Sequence, residues 1–111
     1  MAQEPDHESL LLSGRNTATG TADTELIAAQ GVGVRVYVTS IIVSNNSSTN
    51  SEVDIKDGST IKVTIPAPSN GGAVLDISKA PLKLSANTAL NFAAVTGVTT
   101  MKVSVLGYRG A

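Results

Sequence analysis

Val32-Gly33-Val34-Arg35-Val36-Tyr37-Val38-Thr39-Ser40-Ile41-Ile42-Val43 is the stretch from which the fold can be read. Its first seven residues alternate valine with glycine, arginine or tyrosine, a period of two that gives an extended strand one apolar face. Valine, isoleucine and threonine are stiff at χ1 and fit a pleated, half-buried surface better than a helix. At Ile41-Ile42-Val43 the alternation fails. Either the strand is covered on both faces there, or a bulge near Ser40 resets the phase.

Outward from this run, turn signals come every eight to twelve residues, the spacing of a β-sandwich or barrel. Upstream, residues 24–29 read as a short strand stopped by Gln30-Gly31. Downstream, residues 44–51 (SNNSSTNS) form a polar loop, after which Val53 and Ile55 alternate with Asp54 and Lys56. Ile61, Val63 and Ile65 alternate with Lys62 and Thr64, so two strands flank Asp57-Gly58. A two-residue loop at Asp57-Gly58 would set apolar residues opposite polar ones in every row. Parity therefore selects a three-residue loop, Lys56-Asp57-Gly58. That register pairs Val53 with Ile61 and brings Glu52 opposite Lys62.

Pro66-Ala67-Pro68 ends this strand, since proline donates nothing to a ladder, and Ser69-Asn70-Gly71-Gly72 turns the chain. Residues 73–78 form a further strand with Leu75 and Ile77 on one face. Pro81-Leu82-Lys83-Leu84 is a short edge segment, and residues 88–95 place Leu90, Phe92 and Ala94 together. Residues 100–106 close the domain with Met101, Val103 and Val105 inward. The expected fold is all-β: a two-sheet antiparallel β-sandwich, with a jelly roll as the leading version.

Composition limits the chemistry. The 111 residues hold no Cys, no Trp and one His (His7), with 15% charged residues and a formal net charge of -1. A disulfide framework, a thiol nucleophile and a metal site built from several imidazoles are excluded. A Ser-His-Asp device would have to recruit His7 from a polar leader, so no catalytic residues are assigned. The scattered Lys and Arg offer no basic stripe for nucleic acid. No apolar run approaches the ~18 residues of a membrane span, and no secretory signal is visible. Asp54 and Asp57 lie close in sequence, but one points outward on a strand and the other sits in a turn, a combination that holds no calcium. Gly31-x-Gly33 and Gly71-Gly72 lack the following helix that a phosphate cradle needs. Metal, cofactor, nucleic acid and membrane are accordingly not expected.

Residues 1–22 are expected to be an N-terminal arm, and residues 23–111 the sandwich domain. Asp6 would cap one helical turn through Leu12 that Gly14 ends. The segment 15–22 (RNTATGTA) is small, polar and extended. The triplet Leu10-Leu11-Leu12 would either fold back over its own sandwich or anchor the arm on a neighbouring subunit, and the second reading is preferred. The partner-binding set is then Leu10, Leu11, Leu12, Arg15, Thr17, Thr19 and Thr21.

Several short motifs carry a resemblance. Thr17-Ala18-Thr19-Gly20-Thr21 precedes the valine-rich strand, which ends in Ser44-Asn45-Asn46. Lys56-Asp57-Gly58, the run 67–72 (APSNGG), the run 82–90 (LKLSANTAL) and the terminal 103–108 (VSVLGY) follow. This pattern resembles the small jelly-roll-like virion proteins of tailed bacteriophages, over residues 17–108. The resemblance implies a capsid decoration (cement) protein on the outer surface of the phage head. It would bind the major capsid protein or other virion subunits and form a homo-oligomer, with a trimer as the expected order. A head-tail connector, head-fibre or tail component is the alternative within that class. From another class, a carbohydrate-binding or adhesion module would use exposed aromatics, for which Tyr37 and Tyr108 are the candidates, Phe92 lying on a core face.

Overall fold

The structure, a computed structural model, describes residues 10–111. Among them the strands are β1 (Leu11–Ala18), β2 (Thr24–Ile27), β3 (Arg35–Asn45), β4 (Ser51–Asp57), β5 (Thr60–Ala67), β6 (Gly71–Asp76), β7 (Leu82–Lys83), β8 (Leu90–Ala94) and β9 (Met101–Gly110). They form two sheets: β1-β9-β3-β6, with β7 also pairing with β3, and β2-β8-β4-β5.

The pairings are nested. β4 pairs with β5, β3 with β6, β2 with β8 and β1 with β9, all antiparallel. The chain is thus one long hairpin folded about the β4–β5 turn. Rolling it brings β9 against β3 and β8 against β4, which splits the ribbon into two facing sheets. This is the jelly-roll form of the antiparallel sandwich. The expected all-β, two-sheet architecture is the one the chain adopts.

The decisive run behaves as its alternation predicts, once a bulge is included. The register of β3 on β9 shifts between Val38 and Ser40, leaving Thr39 as the additional residue. Its hydroxyl donates to the Leu106 carbonyl at 3.1 Å, which gives the disturbed ladder a polar contact. Val36 and Val38 face the core before the bulge, and Ile41 and Val43 face it afterwards. Ile42 points outward. The strand starts later than the sequence pattern indicates, because the chain turns at residues 31–34, where the Val34 N–H donates to the Gly31 carbonyl. Val32 is left at that turn, 91% exposed.

The β4–β5 hairpin corrects the expected register. Val53 pairs with Ile65 and Ile55 with Val63, not Val53 with Ile61, and Glu52 lies opposite Pro66, not Lys62. The turn is the two-residue Gly58-Ser59, between the paired Asp57 and Thr60, with Gly58 at φ 63°. Glycine at the first central position is what a tight hairpin of the right twist requires. Parity is restored between Ile55 and Lys56, where the register slips by one and Lys62 becomes the additional residue. The odd residue that the loop was expected to hold sits in a bulge.

The core lies between the sheets and is aliphatic around one aromatic ring, Phe92. Ile41, Ile55, Leu84, Leu90, Met101, Val53, Val103 and Val105 are fully buried with it.

The N-terminal segment also differs from expectation. Residues 11–18 are not a detached arm or a helical turn; they are β1, paired with β9 from Leu11 opposite Tyr108 to Ala18 opposite Met101. Leu12 and Ala18 pack against the core from this edge. A division at residue 22 therefore does not separate an arm from the sandwich, because the rolled hairpin needs β1 as the partner of its last strand. Asp6 lies outside the described residues.

Candidate interaction surface

Strand alternation splits the predicted binding set. Leu11, Arg15 and Thr17 point away from the core on β1, whereas Leu12 turns inward and packs on it. Leu10, just before β1, is exposed, and Thr19 and Thr21 are exposed in the segment between β1 and β2. The structure therefore gathers three of the seven residues on one sheet face and leaves the others beside or beneath it.

That face is the outer side of β1-β9-β3-β6. Its cross-strand rows follow from the register. Leu11, Tyr108, Tyr37 and Lys83 form one row, and Ser13, Leu106, Ser40 and Asp76 the next. Arg15, Ser104, Ile42 and Val74 form the third, then Thr17, Lys102, Ser44 and Gly72. Large apolar side chains thus stand on all four strands: Val74 is 71% exposed, Leu11 61% and Leu106 54%, with Ile42 and Tyr108 also open. A shallow depression of about 320 Å³ is lined by Leu11, Leu12, Ser13, Thr39, Leu106 and Gly107.

The two tyrosines are directly opposite and stacked, with ring centroids 5.0 Å apart and planes 8° from parallel. The Tyr37 hydroxyl donates to the carbonyl oxygen of Ala111, which ties the chain end to the sheet. Stacking covers one face of each ring, so the pair presents less flat aromatic surface than two separate platforms would.

Charge divides between the two outer faces. Beside the apolar rows stand Arg15, Arg35, Lys83 and Lys102, with Asp76 as the one side-chain carboxylate of the face among the described residues. Asp76 is held below the usual carboxylate range, first by the backbone N–H of Ser78 and then by that residue's side chain. The outer side of β2-β8-β4-β5 carries Glu25, Glu52 and Asp54, with Asp23 just before β2. There Lys56 is paired with Asp23 at 2.7 Å, and Asp54 accepts from the Thr64 hydroxyl at 2.7 Å.

The remaining candidates resolve into structural roles. Asp57 is buried, and its Oδ2 accepts from the Ser85 N–H at 3.0 Å and the Ser85 hydroxyl at 2.8 Å. It clamps the loop before β8 instead of making the local turn bonds expected of it. Asn45 is buried and donates through Nδ2 to the carbonyls of Thr49 and Ala67, which fixes the polar loop after β3. Among the described residues no three of His, Cys, Asp and Glu gather as a metal site, and no helix is long and apolar enough to cross a membrane.

The outer apolar face escaped the sequence reading because its members come from strands far apart in the chain. Leu11, Ile42, Val74 and Leu106 are each the lone outward aliphatic residue of their strand, and only the register collects them.

No protein-family model and no curated protein sequence matches the chain. Among solved structures, the chain is similar to one from the cyanophage Pam1 capsid asymmetric unit. The TM-score is 0.42 at 15% sequence identity, over 97% of this chain and 92% of that one.

Proposed function

We propose that this chain is a structural protein of a tailed-bacteriophage virion, specifically a capsid decoration protein that binds the outside of the assembled head. It acts by binding and not by catalysis, as a homo-oligomer in contact with the major capsid protein or other shell subunits. The observation that carries the reading is a jelly roll whose interior is filled while one outer sheet face keeps a contiguous apolar surface beside cations. Such a surface on a small domain marks an interaction site. The sequence motifs at residues 17–21, 67–72, 82–90 and 103–108 supply the direction, since they are the ones in which the chain resembles small phage virion proteins.

A cement protein stabilises a shell by binding the assembled lattice in preference to free subunits, and the stabilisation follows from that difference in affinity. Heads from the parent phage with this gene deleted are therefore expected to lose DNA at lower temperature or on milder osmotic shock than complete heads. Adding back the purified protein is expected to restore resistance. Complete heads of equal resistance without the protein would sink the reading. A copy number of only a few per particle would move the chain to a connector or tail.

A further inference from the structure

We infer that the outer face of β1-β9-β3-β6 is the surface that meets the shell, and that the shell surface it fits is apolar at its centre with carboxylates around it. This rests on the virion reading above and names the contact within it.

The size suits a contact. Four strands at ~4.8 Å spacing and seven residues at ~3.3 Å rise give a footprint on the order of 400 Å², before the relief of the side chains is counted. The composition suits one too. Leu11, Leu106, Ile42 and Val74 form the apolar centre, and the Tyr37–Tyr108 stack closes one end with rigid aromatic area. Interfaces concentrate their energy in such desolvated apolar and aromatic centres, with polar groups outside them.

Charge selects the occupant. Arg15 stands on the β1 edge, Lys83 on the β7 edge and Lys102 at the end of the face beyond Ile42 and Val74. Arg35 stands one row beyond Tyr37 and donates to the Leu84 carbonyl at 3.1 Å, and one side-chain carboxylate, Asp76, opposes these four cations. Two copies meeting through this face would bring like charges together as they buried their apolar centres, a costly arrangement. The opposite face of the chain is acidic, but among the described residues its large exposed apolar side chains are Ile61, opposite Lys56, and Val95, beside Glu52, which stand apart and give the four apolar residues little to meet. Four scattered cations around an apolar centre also make a poor track for nucleic acid. A protein surface with an apolar centre and acidic surroundings satisfies both halves of the face.

The test uses heads from the parent phage with this gene deleted, and counts protein bound per head after addition of wild-type or variant chain. Leu106→Lys is expected to lower affinity at least tenfold. Its side chain points to solvent, so circular dichroism and thermal unfolding are expected to match wild type. Arg15→Glu combined with Lys102→Glu is expected to weaken binding at low salt, with the difference shrinking as salt is raised. Glu52→Lys, on the opposite face, is expected to bind as wild type does. Wild-type binding with Leu106→Lys unimpaired overturns this inference and leaves the virion reading standing. Wild-type protein that does not bind the heads overturns both. An oligomeric state that changes on Leu106→Lys, measured by light scattering, puts a second copy on the face and also overturns the inference.

Discussion

Gly14 of β1 lies so close to β2 that a Cβ on it would overlap the carbonyl oxygen of Leu26. The two strands belong to different sheets, and at this edge of the sandwich their backbones nearly touch. The neighbouring Asn16 donates through Nδ2 to the Glu25 carbonyl at 3.0 Å, which closes the same edge. Gly14→Ala would have to push β1 away from β2, against the ladder it makes with β9. A cost of about 1–3 kcal/mol is expected, as for overpacking elsewhere, read as a lower midpoint in urea or heat. A detached arm would tolerate the same change without loss, so unfolding curves of this one variant test where β1 sits.

Asp57 is held by Ser85 through both the backbone N–H and the hydroxyl, while its other oxygen, Oδ1, is buried without a partner. Asp57→Ala removes the acceptor and leaves the Ser85 donors unmatched near the core. The expected destabilisation is about 1–3 kcal/mol, by denaturant titration. Ser85→Ala keeps the backbone bond and is expected to cost less than Asp57→Ala. The reverse order would show that the hydroxyl, and not the carboxylate, organises the loop.

Deletion of Lys62 is expected to be tolerated. It removes the bulged residue, after which Ile55 opposite Val63 and Lys56 opposite Ile61 become consecutive rungs of a regular ladder. Every inward side chain keeps its face. Deleting Ser59 instead removes half of a two-residue turn and is expected to be far more damaging. Cross-strand nuclear Overhauser effects between residues 55 and 63 would report the retained register. Their loss in the Lys62 deletion would count against the bulge.

Acid should weaken one surface feature in a definite direction. The carboxyl of Asp76 accepts from the Ser78 N–H at 3.0 Å, and its pKa lies below that of an unfolded aspartate. A folded pKa below the unfolded one adds stability above the unfolded value, about 3.9, and that contribution is lost as pH falls through the folded value. A carboxyl titration by NMR is expected to find Asp76 below the ordinary range. Ser78→Ala should leave most of the depression, because the backbone N–H is its larger cause, whereas Ser78→Pro should abolish it. An Asp76 that titrates normally in the wild type would remove the basis for both.

The amino-acid sequence by itself determined which side chains are buried along most strands. Val36, Val38, Ile41 and Val43, then Val53 and Ile55, then Leu90, Phe92 and Ala94, then Met101, Val103 and Val105 were legible from a period of two, because a strand with one buried face allows no other arrangement of apolar residues. The broken alternation near Ser40 allowed either a strand covered on both faces or a bulge, and the register of β3 on β9 selected the bulge. β1 was not legible, since its inward positions Leu12, Gly14, Asn16 and Ala18 include a glycine, an amide and an alanine, which carry almost no hydrophobic signal. The glycine is there because the sandwich closes against it, a contact that exists only once β2 is in place. Parity likewise required an odd residue in the β4–β5 hairpin but did not locate it, as a loop and a bulge satisfy the count equally. The outer face is the clearest case of what tertiary structure decided. Leu11, Ile42, Val74 and Leu106 are isolated along the chain, and become one surface only because β9 pairs with both β1 and β3 while β6 covers the far edge.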